Sequence, residues 1–187
     1  MGAWGPGSFE NDDALDWTDM FLNAPDGVGD GESENVGKLA YLLGPLAGIA
    51  NSTDAEQDAD GESDEDEGDG EIDIDLAGHA IAAAEVIAAI HGKPNQELAA
   101  AIKDVKGGGV DDDEEESSTH LLARWIIDES DDHKEVKGDD ILELAVTALE
   151  RVRDQSELAA LWDEAGGKDA KAWKNHMADL MKRLGGK

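Results

Sequence analysis

Along most of the chain, apolar residues recur three and four positions apart, the spacing that puts them on one face of a helix. Leu76, Ala80, Ala83, Ala84, Ile87 and Ile90 form one stripe, ended by Gly92 and Pro94. Leu98, Ala101, Ile102 and Val105 form a shorter one, stopped by three glycines at 107–109. Ser117-Ser118-Thr119 is a start signal for a helix carrying Leu121, Leu122, Trp125 and Ile126. The clearest pattern runs over 140–153, where Ile141, Ala145, Ala148, Leu149 and Val152 share a face. Asp140 and Glu143 stand at the positions of a capping box, and Arg151 and Arg153 sit where the helix dipole favours cations. Ser156 opens the next helix, with Leu158, Leu161 and Trp162, closed by Gly166-Gly167. The last carries Trp173, Met177, Leu180, Met181 and Leu184 before Gly185-Gly186. Near the start, Asn11 or Asp12 can cap a helix bearing Leu15, Trp17, Phe21 and Leu22. Residues 35–50 predict another, kinked or broken at Gly44-Pro45. Ile72 and Ile74 alternate with Asp too briefly for a strand. The pattern predicts a single compact all-α domain over 1–187, made of seven or eight short helices joined by acidic flexible loops.

Composition changes the picture mainly through charge. The 187 residues include 46 acids and 15 bases, a net charge of −31, and no cysteine. Residues 1–92 hold 23 acids and one base, Lys38, whereas residues 138–187 hold 10 acids and 8 bases. Two runs carry 19 of the net negative charges: 52–75, with 13 acids and no base, and the six acids Asp111–Glu116. The first has only Ile72 and Ile74 as large apolar residues, too few to offset the entropy of ordering it. It is expected to be a disordered insert, and 107–117 a flexible acidic loop. The remaining helical framework carries −12.

This charge argues against nucleic acid and anionic membrane as direct partners, because Lys and Arg contacts hold both. Without cysteine there is no disulfide, thiol nucleophile or thiolate-bound metal. Met1–Asn11 has no basic residue and no apolar core, so it does not read as a signal peptide. The longest apolar run, Leu39–Ala50, falls well short of the roughly 20 residues needed to cross a bilayer. These features predict a cytoplasmic protein.

The opening stretch Met1-Gly-Ala-Trp4-Gly-Pro-Gly-Ser-Phe9-Glu-Asn11-Asp12-Asp13-Ala-Leu-Asp16-Trp17 is the densest motif. It resembles the start of a bacterial family called domain of unknown function 4259, whose members typically open Gly-x-Trp-Gly-x-Gly-x-Phe-x-Asn-Asp-x-Ala-x-Asp-[Trp/Phe]. Ala82-Ala-Ala-Glu85-Val-Ile-Ala-Ala-Ile, Ala148–Trp162 and the terminal Trp173…Leu180…Arg183-Leu184 helix also resemble that family. The acidic segment 52–75 departs from it and looks like a lineage-specific insertion. The resemblance implies architecture and no activity.

Candidate chemistry is sparse. Trp4, Phe9, Asn11, Asp12, Asp13, Asp16 and Trp17 make the best binding candidate: large apolar groups beside short carboxylates at a helix start. The competing reading is structural, with Trp4 and Phe9 stapling the arm to the core while Asn11 or Asp12 caps the helix. Asp12 and Asp16 are one turn apart, but no further ligand completes a cation site. Glu56, Asp58, Asp60, Gly61 and Glu67 fit an EF-hand register, yet Ser63 replaces its usual hydrophobic residue and no convincing entering helix precedes it. The five histidines offer no metal-binding pair one turn apart. Neither a nucleophile elbow nor a phosphate-binding glycine loop occurs. No cofactor, metal or catalytic residue is expected, which weighs against an enzyme. The first functional reading is an interaction or regulatory module with an acidic surface for a basic protein partner. Behind it stand a housekeeping domain whose acidity is high-salt adaptation, and a nucleic-acid mimic.

Overall fold

The computed structural model describes residues 5–10, 12–27, 37–52, 71–108, 117–128 and 131–186. These form nine helices: α1 (Asp12–Asn23), α2 (Lys38–Asn51), α3 (Ile74–Ile90), α4 (Gln96–Gly107), α5 (Ser118–Ile127), α6 (Asp131–Glu135), α7 (Asp139–Gln155), α8 (Glu157–Ala165) and α9 (Gly167–Leu184). The expected count of seven or eight misses α6, which spans little more than one turn and is too short to show a period. The described residues contain no strand. One isolated parallel bridge joins Ile72 to Ser156, with Ile72 N donating to Gln155 O at 2.8 Å and Glu157 N donating to Ile72 O at 3.0 Å. The body of the acidic insert, 53–70, and the run 109–116 lie outside the described residues.

α3 is the central element. Residues from Ala77 to Ala89 are buried on almost every side rather than along one stripe, because α1, α2, α5, α7, α8 and α9 all pack against it. Its alanines permit that close approach from several directions. Asp73 caps its start by accepting from Asp75 N at 2.8 Å. Ser117 and Ser156 cap α5 and α8 as their positions predict, accepting from His120 N and Ala159 N. The capping box at Asp140 and Glu143 does not form. α7 begins at Asp139, behind Gly138, with no side-chain cap.

α2 is not broken at Gly44-Pro45; it runs through Pro45. Proline cannot donate to the carbonyl four residues back, so the carbonyl of Tyr41 loses its helical partner. Trp17 Nε1 donates to that oxygen at 3.3 Å. A neighbouring helix thereby replaces the hydrogen bond that Pro45 removes. Lys38, the only base in the first 92 residues, is buried at the start of α2. Its ammonium donates to Ala24 O and faces Asp26 at 3.4 Å, tying the end of α1 to α2.

Candidate functional site

Residues 5–10 fold as a turn around Glu10. Gly7 N donates to Glu10 Oε2 at 2.7 Å, and Gly5 N donates to Glu10 O at 3.2 Å. A Cβ at Gly7 would come within 2.8 Å of Glu10 Oε2, so a larger residue there displaces that carboxylate. The turn drives Phe9 into the core and places Ser8, also buried, against α3 and α9.

There Ser8 meets a polar cluster that the sequence does not announce. Glu85, wholly buried in the middle of α3, receives Arg183 of α9 in a two-pronged pair: NH1 to Oε1 at 2.7 Å and NH2 to Oε2 at 2.8 Å. Asn95 N adds a bond to Oε1 at 3.0 Å, and Ser8 Oγ lies 3.2 Å from Oε2. On its other side Ser8 Oγ lies 2.8 Å from His176 Nε2. Arg183 also donates to Asp179 and to Lys93 O, which fixes its plane. A buried carboxylate is costly unless paired and hydrogen-bonded, and here four donors converge on it. Burial, with Arg183 nearby, lowers the pKa of His176, although Glu85 opposes the shift. The imidazole is therefore neutral at pH 7. Glu85 touches the serine rather than orienting the imidazole, unlike the acid of a Ser-His-Asp triad. The cluster acts as a clasp that locks the N-terminal turn, α3 and α9 together. Above it lies a cleft of about 620 Å³ lined by Ser8, Asn95, His176 and Arg183, with Glu10, Glu97 and Asp179 supplying carboxylates.

The described motif residues chosen from sequence, Phe9, Asp12, Asp13, Asp16 and Trp17, do not line this cleft. Trp4 and Asn11 lie outside the described residues. Phe9 and Trp17 are core residues. Trp17 stacks on Phe21 with centroids 5.2 Å apart, Phe21 meets Trp125 edge-on, and Trp125 meets His133 edge-on at 4.6 Å. Asp16 is exposed, Asp13 is buried and Asp12 is half-buried. Burial raises the pKa of Asp13, and the adjacent charge of Asp75 and a hydrogen bond between the two carboxyl groups raise it further. Among the described residues, no three His, Asp or Glu side chains gather as a metal-holding group. Phe9 sits where a staple of the arm to the core would place it.

Of the residues that reasoning from sequence missed, Glu85 carried a signal. It is the single charge in the apolar run Ala80–Ile90, and such a charge needs a buried partner. Arg183 stood out only as part of the terminal stretch that resembles the family. Ser8 and His176 carried no signal. The clasp nonetheless joins the opening motif to two of the other stretches that carry the family resemblance, those containing Glu85 and Arg183.

Comparison with protein families returns a match over residues 2–35 and 48–176 to a family described as a domain of unknown function, DUF4259. No curated protein and no solved structure matches the chain. No helix among the described residues is long and apolar enough to cross a membrane.

Proposed function

The chain belongs to the DUF4259 family, and from that premise we propose that it is a non-enzymatic interaction or regulatory module whose carboxylate-rich surface receives a basic protein partner. The supporting observation is where the acids lie. Among the residues whose burial is described, Asp13, Glu85 and Asp132 are the only buried acids; nearly all the others are exposed, and few face a base. A surface of this sign accelerates encounter with a basic partner and repels nucleic acid and anionic lipid. Affinity capture from the native host tests the reading. It expects one basic protein, released by salt, whose association slows when residues 53–70 are deleted. A captured partner that duplex DNA displaces would favour the mimic reading instead.

A second reading, acidity as high-salt adaptation, is favoured by a specific observation. Exposed acids recur on α1, α4, α7, α8 and α9 rather than on one face. It expects a melting temperature that climbs steeply between about 0.1 and 2 M salt as screening relieves self-repulsion. A flat response removes it.

A further inference from the structure

We propose that the groove between α7 and the end of α9 receives a basic amphipathic helix of the partner; this rests on the basic-partner reading above. The groove encloses about 470 Å³. Its floor is apolar: Leu142 and Val146, half-buried one turn apart on α7, with Leu184 of α9 behind them. Its rim is acidic: Asp139, Glu143 and Glu150 are all exposed, and none forms an ion pair with a described residue. Among the described residues, no basic side chain lines it. Arg183, on the last turn of α9, is committed to Glu85 and Asp179.

The geometry favours a helix over a single lysine. From Asp139 to Glu150 the carboxylates span about 16 Å along the axis of α7, at offsets of four and seven residues. That row matches bases spaced by one and two turns on a helix laid alongside, with its leucines over Leu142 and Val146. Gly185 and Gly186 form the far wall among the described residues. Gly185 takes the left-handed conformation, with φ 102°, and Gly186 N bonds back to Met181 O at 2.9 Å. A Cβ at Gly186 would stand 3.4 Å from Val146 Cγ1 and crowd the floor.

The test titrates the full chain with a fluorescent Leu/Lys peptide patterned as an amphipathic helix, with a Leu/Gln peptide of the same pattern as reference. The triple variant Asp139→Asn, Glu143→Gln, Glu150→Gln should weaken Leu/Lys binding about tenfold or more. The scattered triple Asp16→Asn, Asp104→Asn, Glu164→Gln removes the same charge elsewhere and should cost less than about twofold. Equal losses from the two triples overturn the groove while leaving the basic-partner reading intact. Binding of the two peptides with equal affinity overturns that reading itself. NMR shifts on the unaltered chain keep the test independent of variant folding. Changes centred on 139–150 and 184–186 support the groove, and changes spread over all acidic helices contradict it.

Discussion

Trp17→Phe and Pro45→Ala form a double-mutant cycle on the cross-helix hydrogen bond. Trp17 is 1% exposed, and its indole N–H reaches the carbonyl that Pro45 leaves without a helical donor. Trp17→Phe removes that donor, worth about 1 kcal/mol, and leaves a small void that costs about another 1–2 kcal/mol. Pro45→Ala restores an N–H four residues beyond Tyr41, so the carbonyl regains a partner whatever stands at 17. Trp17→Phe should therefore cost about 1 kcal/mol less in the Pro45→Ala background than in the natural one. Urea unfolding followed by circular dichroism measures all four corners of the cycle. A coupling energy within about 0.3 kcal/mol of zero would refute the substitution of one donor for the other.

Other outcomes follow from the same contacts. Arg183→Met leaves Glu85 buried without its main counter-charge and should cost about 3–5 kcal/mol, lowering the melting temperature by roughly 6–20 °C. A loss under about 1 kcal/mol would mean that the clasp is dispensable. Asp13→Asn should stabilise the protein at pH 7 by roughly 0.5 kcal/mol, because it ends the repulsion from Asp75. The raised pKa of Asp13 means the folded state holds that proton more tightly than the unfolded one. Its contribution therefore grows as pH falls toward the raised value, so the change in melting temperature from about pH 7 to 4.5 should be less favourable in the variant than in the natural protein. Burial, followed by the charge of Lys137, lowers the pKa of His133, so its contribution has the opposite sign. The neutral ring stabilises the fold above about pH 6.5, and that stability is lost as pH falls below it. His133→Phe should narrow the gap between melting temperatures at about pH 7.5 and 5.5; an unchanged gap would place the acid sensitivity elsewhere.

Helix periodicity made most of the fold legible, because each amphipathic segment carries its own signal. α3 shows the limit. A stripe is visible in its sequence, but burial on nearly all sides depends on six neighbours that no local pattern specifies. Pro45 shows another: whether a proline breaks a helix depends on what satisfies the stranded carbonyl, and that donor lies 28 positions earlier in the chain. The opening motif was legible as special but not in its role. Phe9 and Trp17 fill the core, while Ser8 makes the polar contacts. Glu85 and Arg183 are 98 positions apart, and only the packing of α3 against α9 brings them together.

Recruitment of a basic partner by surface carboxylates is what we propose for this protein. Its most direct test is the association rate of the captured partner with the full chain as ionic strength rises from about 0.05 to 0.5 M. Attraction between opposite charges predicts a steep fall in that rate over this range, with a dissociation rate that changes far less. A rate that stays constant or rises with salt would contradict the claim and leave the acidity to salt adaptation alone.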